Sequence, residues 1–398
     1  MKKNVLCLLG LFLAGLTLFS CSKDDKGGGS AIDTESPVSI HLNISDKTIV
    51  PDHIQLEVLN TETGQKKDFK YAEQISSLKI SLLPGVYTFT VSATSNTGTK
   101  VFNLIGKKEN VSIVKGENAV TLDLLLQKSS SGFVFKEMAY AGFTENETNK
   151  AYIWASYFII HNNSTETLYA DSLVFGVSAG NTKLPSVNEN IVKRLPAVGA
   201  SSLLMIPGNG KSVAVGPGKD LVVALLAKNH HSVSDNAPDL SGADFEWGEN
   251  TEVYPLEDNP QVPNLVSLHK ESRSFTMLHM RGLTSYFIFK LDRPYKEFLK
   301  TFGHEDKYPN PTVPPVMRPY IPDSMILDGI EQSDGETIVQ KVLPSSVDLT
   351  HTFISEMGKG LTIQRKIASK VGDIVILQDT NDSMNDFLRD QPSSLLKK

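Results

Sequence analysis

The sequence predicts an all-β chain with two β-sandwich domains behind a short leading segment. Three observations carry that prediction. Apolar residues recur at every second position in run after run, which is the period of a half-buried strand. Twenty prolines and 28 glycines punctuate these runs, and no long amphipathic helix interrupts them. The 398 residues are 40% hydrophobic and 21% charged, an ordinary globular composition with apolar side chains enough for more than one core.

The leading segment comes first. Met1-Lys2-Lys3 is a positive start, and Val5 to Phe19 is an almost unbroken apolar run. Fifteen residues at 1.5 Å rise fall short of the roughly 30 Å of a hydrocarbon core, so the run reads as the h-region of a signal peptide over residues 1–20. It ends in Leu18-Phe19-Ser20-Cys21, which resembles a bacterial lipobox. That resemblance implies cleavage before Cys21, acylation of its thiol (palmitate among the acyl groups) and a lipid anchor in the outer membrane. Residues 21–36 follow as a tether with Gly27-Gly28-Gly29-Ser30 at its centre. Its Ser22-Lys23-Asp24-Asp25-Lys26 resembles the surface-export signal of Bacteroidetes lipoproteins, which implies a body facing out of the cell. Cys7 and Cys21 are the only cysteines. The rest of the chain therefore has no disulfide, no cysteine-ligated metal and no cysteine nucleophile.

The first sandwich spans 37–127. Val38/Ile40/Leu42/Ile44, Ile54/Leu56/Val58, Leu78/Ile80/Leu82, Tyr87/Phe89/Val91/Ala93, Val111/Ile113 and Val120/Leu122/Leu124/Leu126 each place alternate apolar residues on one face. That gives six or seven strands, with Pro84-Gly85 as a turn. The phrase from Ser81 to Val91 resembles the hairpin of carboxypeptidase-regulatory-like and other transthyretin-type sandwiches. That resemblance implies a spacer or display module without catalysis.

After the linker Lys128–Gly132, a second and larger β region spans 132–392. Strands read at Phe133–Glu137, Tyr157–His161, Leu173–Val177, Leu221–Ala227, Ser285–Leu291 and Ile374–Leu377. Pro294–Phe302 reads as a short helix, with proline where a helix start tolerates it. The six prolines between Pro309 and Pro322 read as an extended connection. Arg365 is placed to pair with Asp379 or Asp386 and pin the last strands.

Several phrases in this region arrive in a recognisable order: Tyr157–Ser164, Leu168–Leu173, Gly216–Ala224, Ile326–Glu331, Gly360–Lys366 and Asp379–Phe387. Together they resemble a lamin-tail-type, Ig-like sandwich, and more closely the DUF4876 family of Bacteroidetes lipoproteins. Lamin-tail domains are compact, so residues 228–322 read as a long insertion. The resemblance implies a protein that accompanies a TonB-dependent outer-membrane transporter, and the chain reads as a non-enzymatic cell-surface accessory or ligand-binding subunit. The alternative is a surface adhesion or glycan-binding module, for which Trp154, Trp247, Tyr152, Tyr157, Tyr254 and Tyr286 are the candidate aromatics.

Catalytic motifs are missing: no Gly-x-Ser-x-Gly elbow, His-Glu-x-x-His, phosphate loop or dinucleotide fingerprint occurs. With a formal charge of −6 and no basic cluster, a nucleic-acid partner is disfavoured. One stretch invites chemistry. His230-His231 is followed by Asp235, Asp239, Asp244, Glu246, Glu249, Glu252, Glu257 and Asp258 with no lysine or arginine among them. Like charges repel unless solvated or countered by a cation. The plainer reading is a solvated acidic loop pinned by Phe245 and Trp247. The sharper one is a divalent metal ion held by His230, His231, Asp235 and Asp239. Met277-Leu278-His279-Met280 reads as core strand, and Asp379-Thr380-Asn381-Asp382 as a turn lacking the glycine of a calcium loop. Ser172, Ser324 and Ser383 lie in Asp-Ser-Leu or Asp-Ser-Met triplets that resemble Bacteroidetes O-glycosylation sequons.

Overall fold

The computed structural model describes residues 34–44, 49–96, 101–127, 132–185, 189–249, 256–272, 276–307, 312 and 314–396. The leading segment, Cys21, the tether before residue 34 and residues 128–131 of the linker lie outside these residues. Strand is the dominant regular structure among the described residues, in several sheets, and helices run to no more than eight residues. The all-β, sandwich reading holds.

Seven strands form the first unit: β1 (Ser36–Ile44), β2 (His53–Asn60), β3 (Lys66–Tyr71), β4 (Ser77–Leu82), β5 (Gly85–Asn96), β6 (Val101–Ile113) and β7 (Asn118–Gln127). They bond in the order β3-β2-β5-β6-β7-β1-β4. The alternation does what it promised. β1 buries Val38, Ile40, Leu42 and Ile44 and turns His41 and Asn43 outward. The matching residues of β2, β4, β5 and β7 complete one apolar cluster. Pro84-Gly85 is a turn, closed by the Tyr87 hydroxyl, which donates to the Leu83 carbonyl at 2.8 Å. β7 carries the path from one layer to the other. It pairs with β6 at Asn103–Ile105 and runs parallel to β1 from Val38↔Asn118 to Ile44↔Leu124. Close to that crossing, a Cβ on Gly106 would stand 2.5 Å from the Asp123 carbonyl oxygen, so only glycine fits. Two features escaped the pattern. β3 (KKDFKY) is an edge strand with no buried residue, and β6 starts ten residues before Val111.

The second unit packs two sheets face to face. One holds Phe133–Ala139, Tyr157–Asn162, Asp220–Ala224, Leu361–Arg365 and Phe387–Pro392, with Phe245–Glu246 at its edge. The other holds Leu173–Ser178, Ala197–Met205, Tyr286–Lys290, Val316–Pro322, Ile326–Ile330 and Gly303–Asp306, with Val266–Lys270 paired onto Ala197–Met205. Aromatic rings fill the space between. Phe158 stacks on Phe175 at 4.3 Å, Phe135 meets both edge-on, and Trp247 lies 5.5 Å from Phe158.

The outer faces are covered as well. Ala237, Leu240, Ala243 and Val262 lie on Tyr157, Ile159 and Ala224, while Phe298 of the helix Tyr295–Phe302 and Leu343 lie on Phe287 and Phe289. Strands buried on both sides need apolar side chains on both sides, which is why Tyr157–Ile160 and Tyr286–Phe289 are continuous apolar runs. Residues 228–322 are thus built into this unit as cover, strands and helix. Its extended connection is half strand: Val316–Pro322 pairs on both sides although it contains two prolines. Ile321 of this strand is fully buried against Val198 and Phe289 in the same apolar cluster.

Trp247 has no exposed surface and anchors the 228–262 segment in the aromatic core. Trp247→Ala is expected to cost about 3–5 kcal/mol. The check is the urea midpoint of the second unit followed by circular dichroism; an unchanged midpoint would place the anchor elsewhere.

Candidate functional site

The His230 region is a structural knot, and the metal reading needs correction. His230 is fully buried. Its Nε2 lies 2.9 Å from the Leu226 carbonyl, which accepts only if Nε2 carries the proton. Nδ1 is then the acceptor for the Tyr152 hydroxyl at 2.8 Å. Both ring nitrogens are spent. Burial pushes the imidazole down to about 4, so it is neutral near pH 7. His231 directs Nδ1 at the Ala237 carbonyl, 3.3 Å away. Asp235 accepts from the Asn146 side chain, and Asp239 accepts from the Ser241 amide and hydroxyl. Among the described residues, no three His, Cys, Asp or Glu side chains gather closely enough to hold a metal ion.

The solvated-loop reading holds in part: Phe245 and Trp247 are buried anchors and Asp235, Asp239, Asp244, Glu257 and Asp258 are exposed, but Glu246 and Glu249 are not solvated. Glu246 is buried and accepts the main-chain N–H of Ala227 at 2.8 Å and of Asn259 at 2.7 Å. Asp244 accepts from the Val222 amide at 2.8 Å. Glu249 accepts from the Thr276 amide and the Ser267 hydroxyl, with Lys270 at 3.7 Å. Glu246 and Glu249 thus hold loop amides from within the fold. Asp171 does the same elsewhere. Its buried carboxylate takes the amides of Gly210, Ser212 and Val213 at 2.8–3.0 Å. Burial opposes ionisation there, yet these donors hold the carboxyl well below the usual range.

The strongest concentration of charge surrounds Arg365. Its guanidinium is buried and stacks over the Phe387 ring at 4.5 Å. Nε donates to the Phe135 carbonyl and Nη1 to the Gln378 carbonyl. Nη2 meets Asp328 at 2.6 Å, while Nη1 reaches Asp379 at 3.2 Å and Asp386 at 3.5 Å. The expected pair is thus a group of three carboxylates. The nearest, Asp328, comes from the opposite sheet, and sequence reading missed it. The only signal available was Asp328 itself, an acid inside an apolar strand. Burial pushes both Asp328 and Asp379 up, Asp379 to about 7. Behind this centre, buried Asp348 accepts from the amides of Glu331 and Ser383, and burial pushes it up to about 8. Asp379–Asp386 is the expected turn before a closing strand, with Asp382 capping the short helix Ser383–Asp386.

The remaining candidates separate cleanly. Ser383 is buried and its hydroxyl donates to Asp348, which closes that triplet to glycosylation. Ser172 is half-buried on a left-handed turn, and Ser324 is exposed on the turn Asp323–Met325. Trp247, Tyr152, Tyr157 and Tyr286 are buried, Trp154 is half-buried, and Tyr254 lies outside the described residues. The described ones form no open aromatic platform. Met277–Met280 is irregular chain running into a turn rather than a strand, with His279 Nδ1 accepting from the Arg281 amide. Among the described residues no helix is long and apolar enough to cross a membrane.

Residues 216–394 match the DUF4876 family, described as a protein of unknown function. The matched DUF4876 stretch contains Arg365 and its three carboxylates. A solved DUF4876 family protein from Bacteroides thetaiotaomicron VPI-5482 is 22% identical, with a TM-score of 0.56 over 90% of this chain and 96% of that one. At that identity the likeness shows a shared fold. A Bacteroides eggerthii protein provisionally described as a cell adhesion protein is 10% identical over 66% of this chain and 76% of its own, with a TM-score of 0.21. A provisionally described adhesin from Bacteroides ovatus is 12% identical over 70% and 85%, with a TM-score of 0.19. No curated protein matches.

Two outcomes test this geometry. The His230 ring is expected to stay neutral until about pH 4 in an NMR titration. Because that value lies below the 6.5 of an unfolded histidine, its contribution to stability is complete above pH 6.5 and is lost as pH falls towards 4. A ring that titrates near 6.5, or shifts on adding zinc, would contradict the buried pairing. Arg365→Met should cost about 3–5 kcal/mol, since it leaves three buried carboxylates without their cation; calorimetry on the variant reads this.

Proposed function

We propose that this protein is a non-enzymatic lipoprotein of the outer-membrane surface that serves as an accessory or ligand-binding subunit of a TonB-dependent uptake system. The observation that carries the reading is the apolar run ending at Leu18-Phe19-Ser20-Cys21, followed by an acidic, glycine-rich tether. Resemblance to DUF4876 lipoproteins supplies the transporter context. The side chains support a binding role over catalysis. Among the described residues, the buried His230, Glu246 and Asp328 that would otherwise be candidates for acid–base work are bonded to main-chain groups or to other side chains. Binding then falls to the surface of two stiff sandwiches.

Cys21→Ser is expected to move the protein from the membrane fraction to the soluble fraction. Pull-down of the parent chain from solubilised outer membrane should recover a β-barrel transporter, identified by mass spectrometry. Recovery without a transporter in repeated preparations would sink the accessory role, and membrane retention of Cys21→Ser would sink the anchor.

A further inference from the structure

The Arg365 centre does not balance its charges. One guanidinium faces three carboxylates, and all four groups are almost completely buried. Three like charges at this spacing, out of water, cannot all be ionised against a single cation; one proton is retained. Hydrogen bonding indicates which acid keeps it. Asp328 takes the Phe135 and Gly329 amides at 2.7 and 2.8 Å besides Nη2 of Arg365. Asp386 takes the Thr380 amide and hydroxyl, the Asp382 amide and the Gln378 side chain besides Nη1. Asp379 has Nη1 of Arg365 and the backbone of Asn381. It is the least supported as an anion.

The position of these acids gives the proton a structural role. Asp379 and Asp386 bracket the turn that joins the ribbon Ile367–Leu377 to the last strand, Phe387–Pro392. The turn is held inward by Arg365 and laterally by the 346–350 loop. Asn381 bonds to Ser346 and Leu349, while Ser383 bonds to Asp348. Other charges around it are Asp382, bonded to Thr350 and within electrostatic reach of Lys107, and Lys366, whose Nζ donates to the Asn385 carbonyl. Glu331 and Lys341 lie behind Asp348. No further cation reaches Arg365's carboxylates among the bonds described.

We propose that the Arg365 centre is a proton-dependent latch on the closing segment 378–392, and that the proton which shuts it resides on Asp379. Loss of that proton leaves two surplus negative charges under the turn, and the segment loosens while the first sandwich is unaffected. The sign follows from linkage. Asp379 binds its proton more tightly when the latch is closed than when water reaches it, so raising pH favours the open form until the closed form also ionises, near 7.

Hydrogen exchange of the full chain, corrected for the intrinsic rate at each pH, tests the latch. The opening constant for 378–392 is expected to rise about tenfold per pH unit between about pH 5 and 7 and then level off. Asp379→Asn should remove one proton's worth of that slope, that is, about one factor of ten per pH unit. Asp386→Asn should open the segment more at every pH and keep the slope, which separates proton storage from simple loss of a bond. Asp379→Ser replaces the Asn variant if that one fails to fold. A parent profile flat from pH 5 to 7, or a slope in the Asp379 variant equal to the parent's, overturns the proposal.

Discussion

Strands covered on both faces draw amides of the joining loops out of water, and the second unit depends on how those amides are paired. Its answer is the side-chain carboxylate as an acceptor for main-chain N–H. Asp171, Glu246, Asp328 and Asp348 each take amides from chain segments distant in sequence, at distances of 2.7–3.0 Å, and Asp386 takes those of its own turn. An unpaired buried amide costs free energy comparable to a lost hydrogen bond, and a carboxylate with two or three such donors recovers part of its own desolvation. The acid excess of the chain is therefore partly internal architecture. This also explains why the acids of the 235–258 stretch have so few basic neighbours in sequence: several of their partners are backbone amides.

Much of the fold was legible. Alternation located six of the seven strands in the first unit, because one face of each is wet and the pattern is clean. In the second unit the same period is erased by burial on both faces, yet continuous apolar runs still marked Tyr157–Asn162, Leu173–Ser178 and Tyr286–Lys290. Strands that escaped do so for stated reasons. Lys66–Tyr71 is an exposed edge, Ala197–Met205 is rich in small residues, and Val316–Pro322 is disguised by proline.

The candidate site was less legible because its chemistry is long-range. His230 beside His231 in sequence suggests two ligands, but the backbone sends one ring into the core against Tyr152 and leaves the other residue exposed. Arg365 was correctly placed beside Asp379 and Asp386, which are 14 and 21 residues away. Asp328 is 37 residues away and on the facing sheet. No spacing rule reaches a partner whose position depends on how two sheets stack. The ionisation states are harder still, since they follow from counting donors in three dimensions.

The parallel pairing of β1 with β7 has a consequence for reach. Val38 is level with Asn118, so the chain enters the first sandwich beside the start of β7 and leaves it after Gln127, at the other end of that strand. Ten residues of extended chain cover about 33 Å. In an anchored protein the first sandwich would therefore act as a rigid strut. Its length would then set how far from an anchoring surface the second unit meets whatever it binds.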